Sequence, residues 1–327
     1  MDIIDDKTVT THELVDKAIE KLIRRYEIRE FRSGVSWGFQ DLDAMTDGIQ
    51  NSTFTVLGAR PCMGKTTFVL NVARHVSVIE KKAVAFFTFE TSASQVTQRM
   101  LAAGAKLSSN QLRSGHIAET GWAKLHAEAK CLKEAALVID DSCMTFQALA
   151  DKCRRLKDRP EGLFLVVLDD LQQLLMREFA TARNENQPEL TKRLKALAQE
   201  LEIAIVATSQ LTRAPEYRKN KRPILSDFGR GAGAPDNADI ILFLYRDEYY
   251  YPEAPQRGVA DLIIYRQKDG PTGTVELAYK VETGNFSDYM VHFADLYVAS
   301  GEGCEVTSKG CDDVDKGDKE EFATEEG

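Results

Sequence analysis

A phosphate-loop motif constrains the fold of this chain more than any other stretch. Residues 58–67 read Gly-Ala-Arg-Pro-Cys-Met-Gly-Lys-Thr-Thr and lie between an apolar run and a helical pattern that begins at Phe68. In the form G-x-x-x-x-G-K-[ST], backbone N–H groups cradle phosphates, the lysine reaches the β- and γ-phosphates, and the hydroxyl ligates Mg²⁺. The first glycine position holds Ala59, so the match is incomplete. The strand-loop-helix context nevertheless favours a nucleotide site over an ordinary turn.

The apolar pattern predicts an α/β fold. Short, continuous apolar runs, mostly separated by helical patterns, are typical of strands buried on both faces of a largely parallel sheet. They cover residues 53–57, 83–89, 136–139, 163–168, 203–208 and 240–245. Residues 259–265 and 274–280 flank a turn-rich Asp-Gly-Pro-Thr-Gly connection, which predicts an antiparallel hairpin at the far edge. We therefore expect a P-loop core with a mostly parallel central sheet and antiparallel edge strands.

Length and composition place the chain among ordinary globular proteins. Its 327 residues suffice for one large α/β domain with appendages or for two small domains, and hydrophobic content is 43%. No apolar run approaches the roughly 18 residues of a membrane span, and the acidic N-terminus lacks the apolar region of a secretory signal. The six cysteines show no metal-binding spacing, so we expect them to be packing residues. A cytoplasmic protein without membrane contact is the expectation.

The two ends of the chain differ from its middle. Residues 10–26 predict a helix, with Thr10 and Glu13 spaced as a capping box and an apolar stripe that packs either on its own core or on a neighbouring subunit. Residues 31–38 are expected to form a polar linker. From Gly301 onward, ten Asp or Glu residues face three Lys, so that the other 300 residues carry only about −2 of the −9 net charge. We divide the chain into a helix and linker (1–33), a large α/β domain (34–300) and an acidic disordered tail (301–327).

Polar residues end three of the predicted strands. Asp169 follows the run 163–168 about a hundred residues after the phosphate loop, where a Walker B carboxylate would hold Mg²⁺ through water. Glu90 ends the run 83–89 and either polarises the water that attacks the γ-phosphate or caps the following helix. Gln210 follows the run 203–208, where a neutral amide could sense the γ-phosphate. Carboxyl ends of parallel strands share one edge, so we expect these side chains to converge.

Ordered sequence blocks extend over about residues 34–286 and include Ser209-Gln210-Leu211 and Gly270-Pro271-Thr272-Gly273. Further blocks lie at 58–66, 140–141, 153–157, 169–172, 194–201, 221–227, 238–240 and 244–250. In this order the blocks resemble those of one family, the RecA-like motor domain of DnaB-type replicative DNA helicases. Members of this family often carry alanine at the first glycine position, so Ala59 fits. The resemblance implies a RecA-like P-loop NTPase that hydrolyses ATP with Mg²⁺.

The resemblance also implies a role for individual residues of the nucleotide site. Residues that would bind Mg-ATP are Arg60, Gly64, Lys65, Thr66, Thr67 and Asp169, with Thr66 and Asp169 as the metal ligands. Glu90 would be the catalytic base and Gln210 the γ-phosphate sensor. Family members are ring hexamers in which a neighbouring subunit supplies an arginine and a lysine from a K-Q-R element. Here that element reads Arg266-Gln267-Lys268, so either the two cations exchange roles or activation by the neighbour is weakened.

Two segments, 176–188 and 213–235, would face the central channel of such a ring. The residues expected to contact single-stranded DNA are Arg177, Arg183, Arg218, Lys219, Lys221, Arg222 and Arg230. Where the family typically has an Arg-Glu-Ser-Gly loop, residues 228–235 read Phe-Gly-Arg-Gly-Ala-Gly-Ala-Pro. Asp170 stands where an aromatic residue is usual. The resemblance implies that residues 1–33 form a linker helix that docks on the adjacent subunit and that residues 34–300 form the RecA-like ATPase/helicase domain. We expect a phage- or plasmid-like version without the collar domain of the family.

The resemblance favours the first of three functions, and the other two are alternatives. The first is an ATP-dependent, homohexameric replicative helicase that translocates on single-stranded DNA, with a helicase loader or primase as candidate partners. The second is a DnaB-like ATPase that forms or modifies helicase rings without translocating. The third is a recombinase of the broader RecA class.

Overall fold

The computed structural model describes residues 32–142, 145–178, 187–229, 235–251, 253 and 256–289, with seven helical positions between 11 and 23. Among those seven, Val15 and Ile19 are each 49% exposed. The predictions for Arg183, Arg230, the acidic tail and most of the channel loop at 228–235 lie outside the described residues.

Nine strands form a single sheet. They are β1 (Phe54–Ala59), β2 (Val84–Thr88), β3 (Leu137–Asp140), β4 (Leu165–Asp169), β5 (Ala204–Gln210), β6 (Ile240–Tyr245), β7 (Val259–Gln267), β8 (Gly273–Lys280) and β9 (Asn285–Asp288). Their order is β3-β2-β4-β5-β1-β6-β7-β8-β9. Pairing is parallel from β3 through β6 and antiparallel from β6 through β9. The predicted α/β class and the hairpin are confirmed.

Helices connect and flank the parallel strands. They are α1 (Gln40–Thr46), α2 (Lys65–Arg74), α3 (Ala93–Ala105), α4 (Ser109–Ser114), α5 (Glu119–Glu134), α6 (Phe146–Lys157), α7 (Leu171–Glu178), α8 (Gln187–Glu200) and α9 (Asp247–Tyr250). Short 3₁₀ turns span Ala214–Tyr217, Leu225–Phe228 and Pro235–Asn237. Within the described part of the chain, none of these helices has the length and apolarity that crossing a membrane requires.

Alternate strand residues supply two hydrophobic cores, one on each face of the sheet. Phe86 and Val167 belong to the core that contains Phe68 of α2. Phe87 and Val166 belong to the core that contains Leu194 of α8. Because side chains of a strand alternate between faces, the continuous apolar runs of the sequence are what a sheet covered on both sides requires.

Three details differ from the sequence-based expectations. The stretch 31–38 is not simply a polar linker, because Trp37 is 1% exposed and its indole N–H donates to Thr46 Oγ1 at 3.0 Å. Cys62 is exposed, so it is not a packing residue. Strand β9 was not predicted; its pattern is too short to identify, and it is stabilised by pairing along β8 and by Phe286 packing.

Candidate nucleotide-binding and hydrolysis site

The phosphate loop connects the end of β1 to the start of α2. Gly64 has φ +102°, a conformation that residues with a Cβ rarely adopt. A Cβ at this position would also lie 3.1 Å from Phe286 Cζ, and Phe286 stacks on Tyr279 with 4.3 Å between ring centroids. Ala59 pairs with Gln210 as the last residue of β1 and is fully buried. The loop therefore requires glycine at 64 and accepts alanine at 59.

The first turn of α2 forms the floor of the site. It begins at Lys65 and contains Thr66 and Thr67, directly after the glycine. The first N–H groups of a helix have no intrahelical acceptor and carry the positive end of the helix dipole, so this turn can bind a phosphate. Arg60, one residue after β1, donates to Leu211 O at 2.7 Å and to Glu216 Oε1 at 3.0 Å. Its guanidinium thus braces the loop against the segment after β5.

Asp169 joins three elements at the end of β4. Its Oδ2 accepts from the Thr66 hydroxyl at 2.8 Å, and its Oδ1 accepts from the Thr208 hydroxyl at 2.6 Å. Hydroxyl and carboxylate oxygens suit Mg²⁺, which is usually held by one or two protein oxygens together with phosphates and water. Among the described residues, no group of three or more His, Cys, Asp or Glu could hold a metal by itself. The Thr66–Asp169 pair fits a magnesium ion that arrives with a nucleotide.

The lysine of the motif lies among carboxylates. Burial lowers the pKa of Lys65, although the charges of Asp170, Asp169 and Glu90 oppose that shift. Burial also raises the pKa of Asp170 to about 6, and the nearby Glu90 and Asp169 add to the rise. A bound polyphosphate would compete with these three carboxylates for the Lys65 ammonium group. The net charge around Lys65 would therefore change when a nucleotide binds.

Two consecutive glutamines in the first turn of α7 contact the ends of two strands. Gln172 Nε2 donates to Ser209 Oγ at 2.8 Å and to Gln210 O at 3.0 Å, and Gln172 Oε1 accepts from Gln210 N at 3.0 Å. Gln173 Nε2 donates to Glu90 Oε1 at 2.8 Å. A pocket of about 350 Å³ lies here, and its lining includes Glu90, Asp170, Gln210, Phe228 and Gly229.

The strand order explains why the predicted residues meet. Strands β2, β4, β5 and β1 are adjacent and parallel, and at one edge they are followed or ended by Glu90, Asp169, Gln210 and the phosphate loop. Asp170, Gln172 and Gln173 were not predicted as members of the site. The sequence signal that could have identified them is their position, because they lie at the start of the helix that follows the Walker B carboxylate Asp169. Only the fold shows which strand each side chain reaches.

The two residues assigned to a neighbouring nucleotide lie elsewhere on the subunit. Arg266 donates to Ala238 O at 3.0 Å near the end of β7. Lys268 Nζ contacts Asp239 Oδ1 at 2.7 Å. Asp239 also accepts from Lys195 Nζ at 2.6 Å and from Phe54 N at 2.8 Å, close to the start of β1 and hence at the opposite edge from the phosphate loop.

Four of the described basic residues assigned to DNA have side-chain partners within the subunit, and for Lys219 the contact involves only its backbone carbonyl. Arg218 makes two bonds of 2.7 Å to the fully buried Asp227, and Arg222 pairs with Asp261. Lys221 Nζ donates to Glu216 O at 2.6 Å, and the hydroxyl of Tyr251 donates to Lys219 O. Arg177 donates to Phe89 O at 2.6 Å. Arg218 therefore has a structural contact, and DNA binding by these residues stays a prediction.

A mostly parallel sheet with a phosphate loop, a Thr66 hydroxyl bonded to Asp169, and a carboxylate just after the adjacent strand together define a P-loop nucleotide-binding domain. The model of the DnaB-like helicase C-terminal domain matches residues 34–288. The chain belongs to this family.

Relatives and solved structures agree with this membership. The chain is 38% identical over 272 residues to the replicative DNA helicase DnaB of Geobacillus stearothermophilus and 37% identical over 272 residues to the replicative DNA helicase DnaC of Bacillus subtilis. Each match covers 82% of this chain and 60% of the relative, so the chain spans less than two thirds of either protein.

Two solved structures are similar to the fold. One is an ATPase domain, with a TM-score of 0.78 and 31% identity over 87% of this chain and 99% of that chain. The other is titled as a DnaB-like replicative helicase and its interactions with primase, with a TM-score of 0.76, 31% identity, and coverage of 87% and 67%.

Proposed function

We propose that this chain is the motor of an ATP-dependent replicative DNA helicase. The observation that carries the proposal is the convergence of Lys65, Asp169, Glu90 and Gln210 at one edge of four adjacent parallel strands. The family membership and the named relatives support it. A phosphate-binding helix, a magnesium pair, a base and a sensor are the parts that phosphoryl transfer to water requires.

Each part has a defined task in hydrolysis. Lys65 and the first turn of α2, with Thr67, would hold the phosphates, and Thr66 with Asp169 would hold Mg²⁺, which neutralises developing charge when bound. Glu90 would accept a proton from a water molecule whose oxygen attacks the γ-phosphorus. The bond from that phosphorus to the bridging oxygen then breaks, which gives ADP and phosphate. Gln172 of α7 hydrogen-bonds the backbone N–H and C=O of Gln210. A contact between Gln210 and the γ-phosphate would therefore be transmitted to α7.

A closed ring of six copies would complete the site. Arg266 and Lys268 lie far from the phosphate loop of their own subunit, as groups acting on a neighbour's nucleotide would. Lys268 would have to leave Asp239 to do so. In the ring, segments 176–188 and 213–235 would face a single strand of DNA, and contact by Lys219, Lys221, Arg222, Arg183 and Arg230 would be weakened by salt.

The proposal also suggests binding partners and a cellular location. A solved relative whose title reports interactions with primase supports primase as a candidate partner, and a helicase loader is a second. A motor that acts on replicating DNA would work in the cytoplasm.

Steady-state ATP hydrolysis with and without single-stranded DNA tests the proposal. We expect hydrolysis by the wild type to rise with single-stranded DNA and to be lost in Lys65→Ala. Glu90→Gln should retain nucleotide binding and lose turnover. Hydrolysis that ignores DNA would contradict a translocating motor and favour a ring ATPase that does not translocate, while filaments in place of rings under the electron microscope would favour a recombinase.

A further inference from the structure

The first turn of α7 makes an unusual use of a capping sequence. Asp170 precedes the helix, and its Oδ1 accepts from the backbone N–H of Gln173 at 3.0 Å. In a capping box the third helical residue, a Glu or Gln, turns its side chain back to the capping residue. Here the Gln173 amide nitrogen is directed across the site to Glu90 Oε1 at 2.8 Å. Asp170 thus fixes the backbone of Gln173, and the side chain of Gln173 is free to hydrogen-bond Glu90.

A second residue of the same helix face holds the segment that carries Glu90. Arg177 lies four residues after Gln173, and positions four apart share one face of a helix. Its guanidinium donates to Phe89 O at 2.6 Å and lies 5.6 Å from the Phe89 ring centroid. The N–H of Phe89 donates in turn to Asp169 O at 2.9 Å. The backbone before Glu90 is therefore anchored, whereas the Glu90 side chain itself is exposed.

An exposed glutamate needs a fixed partner to act as a base. Its side chain has several rotamers, and only those that place an oxygen near the attacking water are productive. One donor on Oε1 selects a rotamer and leaves Oε2 for the water. The donor is neutral, which matters because a cation at that distance would lower the basicity of the carboxylate. The charged groups around this contact are Lys65, Asp169, Asp170 and Arg177.

We propose that Gln173 is a positioning residue that sets the orientation of the Glu90 carboxylate for hydrolysis. The inference rests on the proposed function, because it assigns Glu90 as the base. The first turn of α7 also links two parts of the site, because Gln172 contacts Gln210 at the end of β5 and Gln173 contacts Glu90. A shift of α7 would alter both contacts together.

The test compares Gln173→Leu, Gln173→Glu and a control, Gln147→Leu. The control removes a bond of the same kind, from Gln147 Nε2 to Asp151 Oδ1 at 2.9 Å on α6, away from the site. We expect Gln173→Leu to lower kcat for ATP hydrolysis about 10-fold or more, with KM and the Kd of a fluorescent ATP analogue within about twofold of wild type. Gln147→Leu should match the wild type in all three.

Gln173→Glu distinguishes positioning of Glu90 from a merely structural role, because only positioning predicts that kcat of this variant relative to wild type depends on pH. At pH 8 its carboxylate repels Glu90 and cannot donate, so kcat should be as low as in Gln173→Leu. Two carboxylates in contact cannot both stay ionised as the pH falls, so the introduced acid should share a proton with Glu90 and donate to it. Its kcat relative to wild type should therefore recover severalfold at pH 6.

Equal kcat for Gln173→Leu and wild type, or a constant Gln173→Glu ratio across pH, would overturn the positioning role while leaving the proposed function intact. A wild type that binds nucleotide without any turnover would overturn both.

Discussion

The strength of the Lys268–Asp239 contact decides whether Lys268 can act on a neighbouring subunit. Lys268 Nζ lies 2.7 Å from Asp239 Oδ1, but its side chain is 58% exposed. Lys195 Nζ lies 2.6 Å from the other carboxylate oxygen, and its side chain is 18% exposed. The two lysines share one buried acid and differ in how much water screens them.

The exposures set the expected energies. Exposed ion pairs contribute about 0.2–1 kcal/mol, because water screens the charges and both side chains lose entropy. A partly buried bond to a charged group contributes roughly 1.5–3 kcal/mol. We therefore expect Lys268 to be held by no more than about 1 kcal/mol, which is roughly a fivefold preference for the contact. A phosphate on a neighbouring subunit could outcompete such a contact.

Double-mutant cycles in urea measure both couplings. Asp239→Asn keeps an oxygen for Phe54 N–H, while Lys268→Met and Lys195→Met keep side-chain length and remove the charge. The expected coupling free energy is below about 1 kcal/mol for the Lys268 cycle and about 2 kcal/mol for the Lys195 cycle. A Lys268 coupling of 2 kcal/mol or more would refute the reasoning, because Lys268 would then be a fixed structural residue.

Three further predictions concern Gly104, the Thr208 hydroxyl and the pH dependence of stability. A Cβ at Gly104 would lie 2.0 Å from the carboxyl carbon of Glu128, the buried partner of Arg74, so Gly104→Ala should cost roughly 2–4 kcal/mol in urea unfolding. Gly115→Ala, with φ +72° and open space, should cost only about 1 kcal/mol, and equal costs would contradict the clash. Thr208→Val removes a donor to Asp169 and should weaken Mg²⁺-dependent binding of a fluorescent nucleotide about 10-fold; an unchanged Mg²⁺ titration would contradict this role. Burial would raise the pKa of Asp239, but hydrogen bonds from Lys195, Lys268 and Phe54 N–H outweigh burial and lower the pKa. The ionised Asp239 therefore stabilises the folded state fully above the pKa of the unfolded chain, near 4. This stabilisation is lost as the pH falls through the lower pKa of the folded state. The urea midpoint of wild type should therefore fall more steeply than that of Asp239→Asn on acidification, and parallel pH profiles would rule out the shift.

The local pattern of the sequence was enough to predict most of the fold. Strand β1, the phosphate loop and α2 were predicted as a unit because glycine at 64 and the apolar runs on both sides have few structural solutions. Asp169, Glu90 and Gln210 were predicted to converge because each ends a parallel strand. That argument needs only chain order and the common direction of the strands.

Side-chain contacts between distant segments could not be predicted. Arg218 and Arg222, which were expected to contact DNA, pair with Asp227 and Asp261, and Asp261 lies 39 residues from Arg222 in sequence. Lys268 meets Asp239 because β7 returns antiparallel beside β6. Gln173 reaches Glu90 across 83 residues. Such pairs depend on which strands are neighbours, which periodicity does not encode.

Displacement of a labelled strand from a forked DNA duplex tests the central claim most directly. The wild type with Mg-ATP should release the strand, and Glu90→Gln at the same concentration should bind nucleotide and DNA without releasing it. No release by a wild type that hydrolyses ATP, or release by Glu90→Gln at the wild-type rate, would contradict a motor driven by hydrolysis at this site.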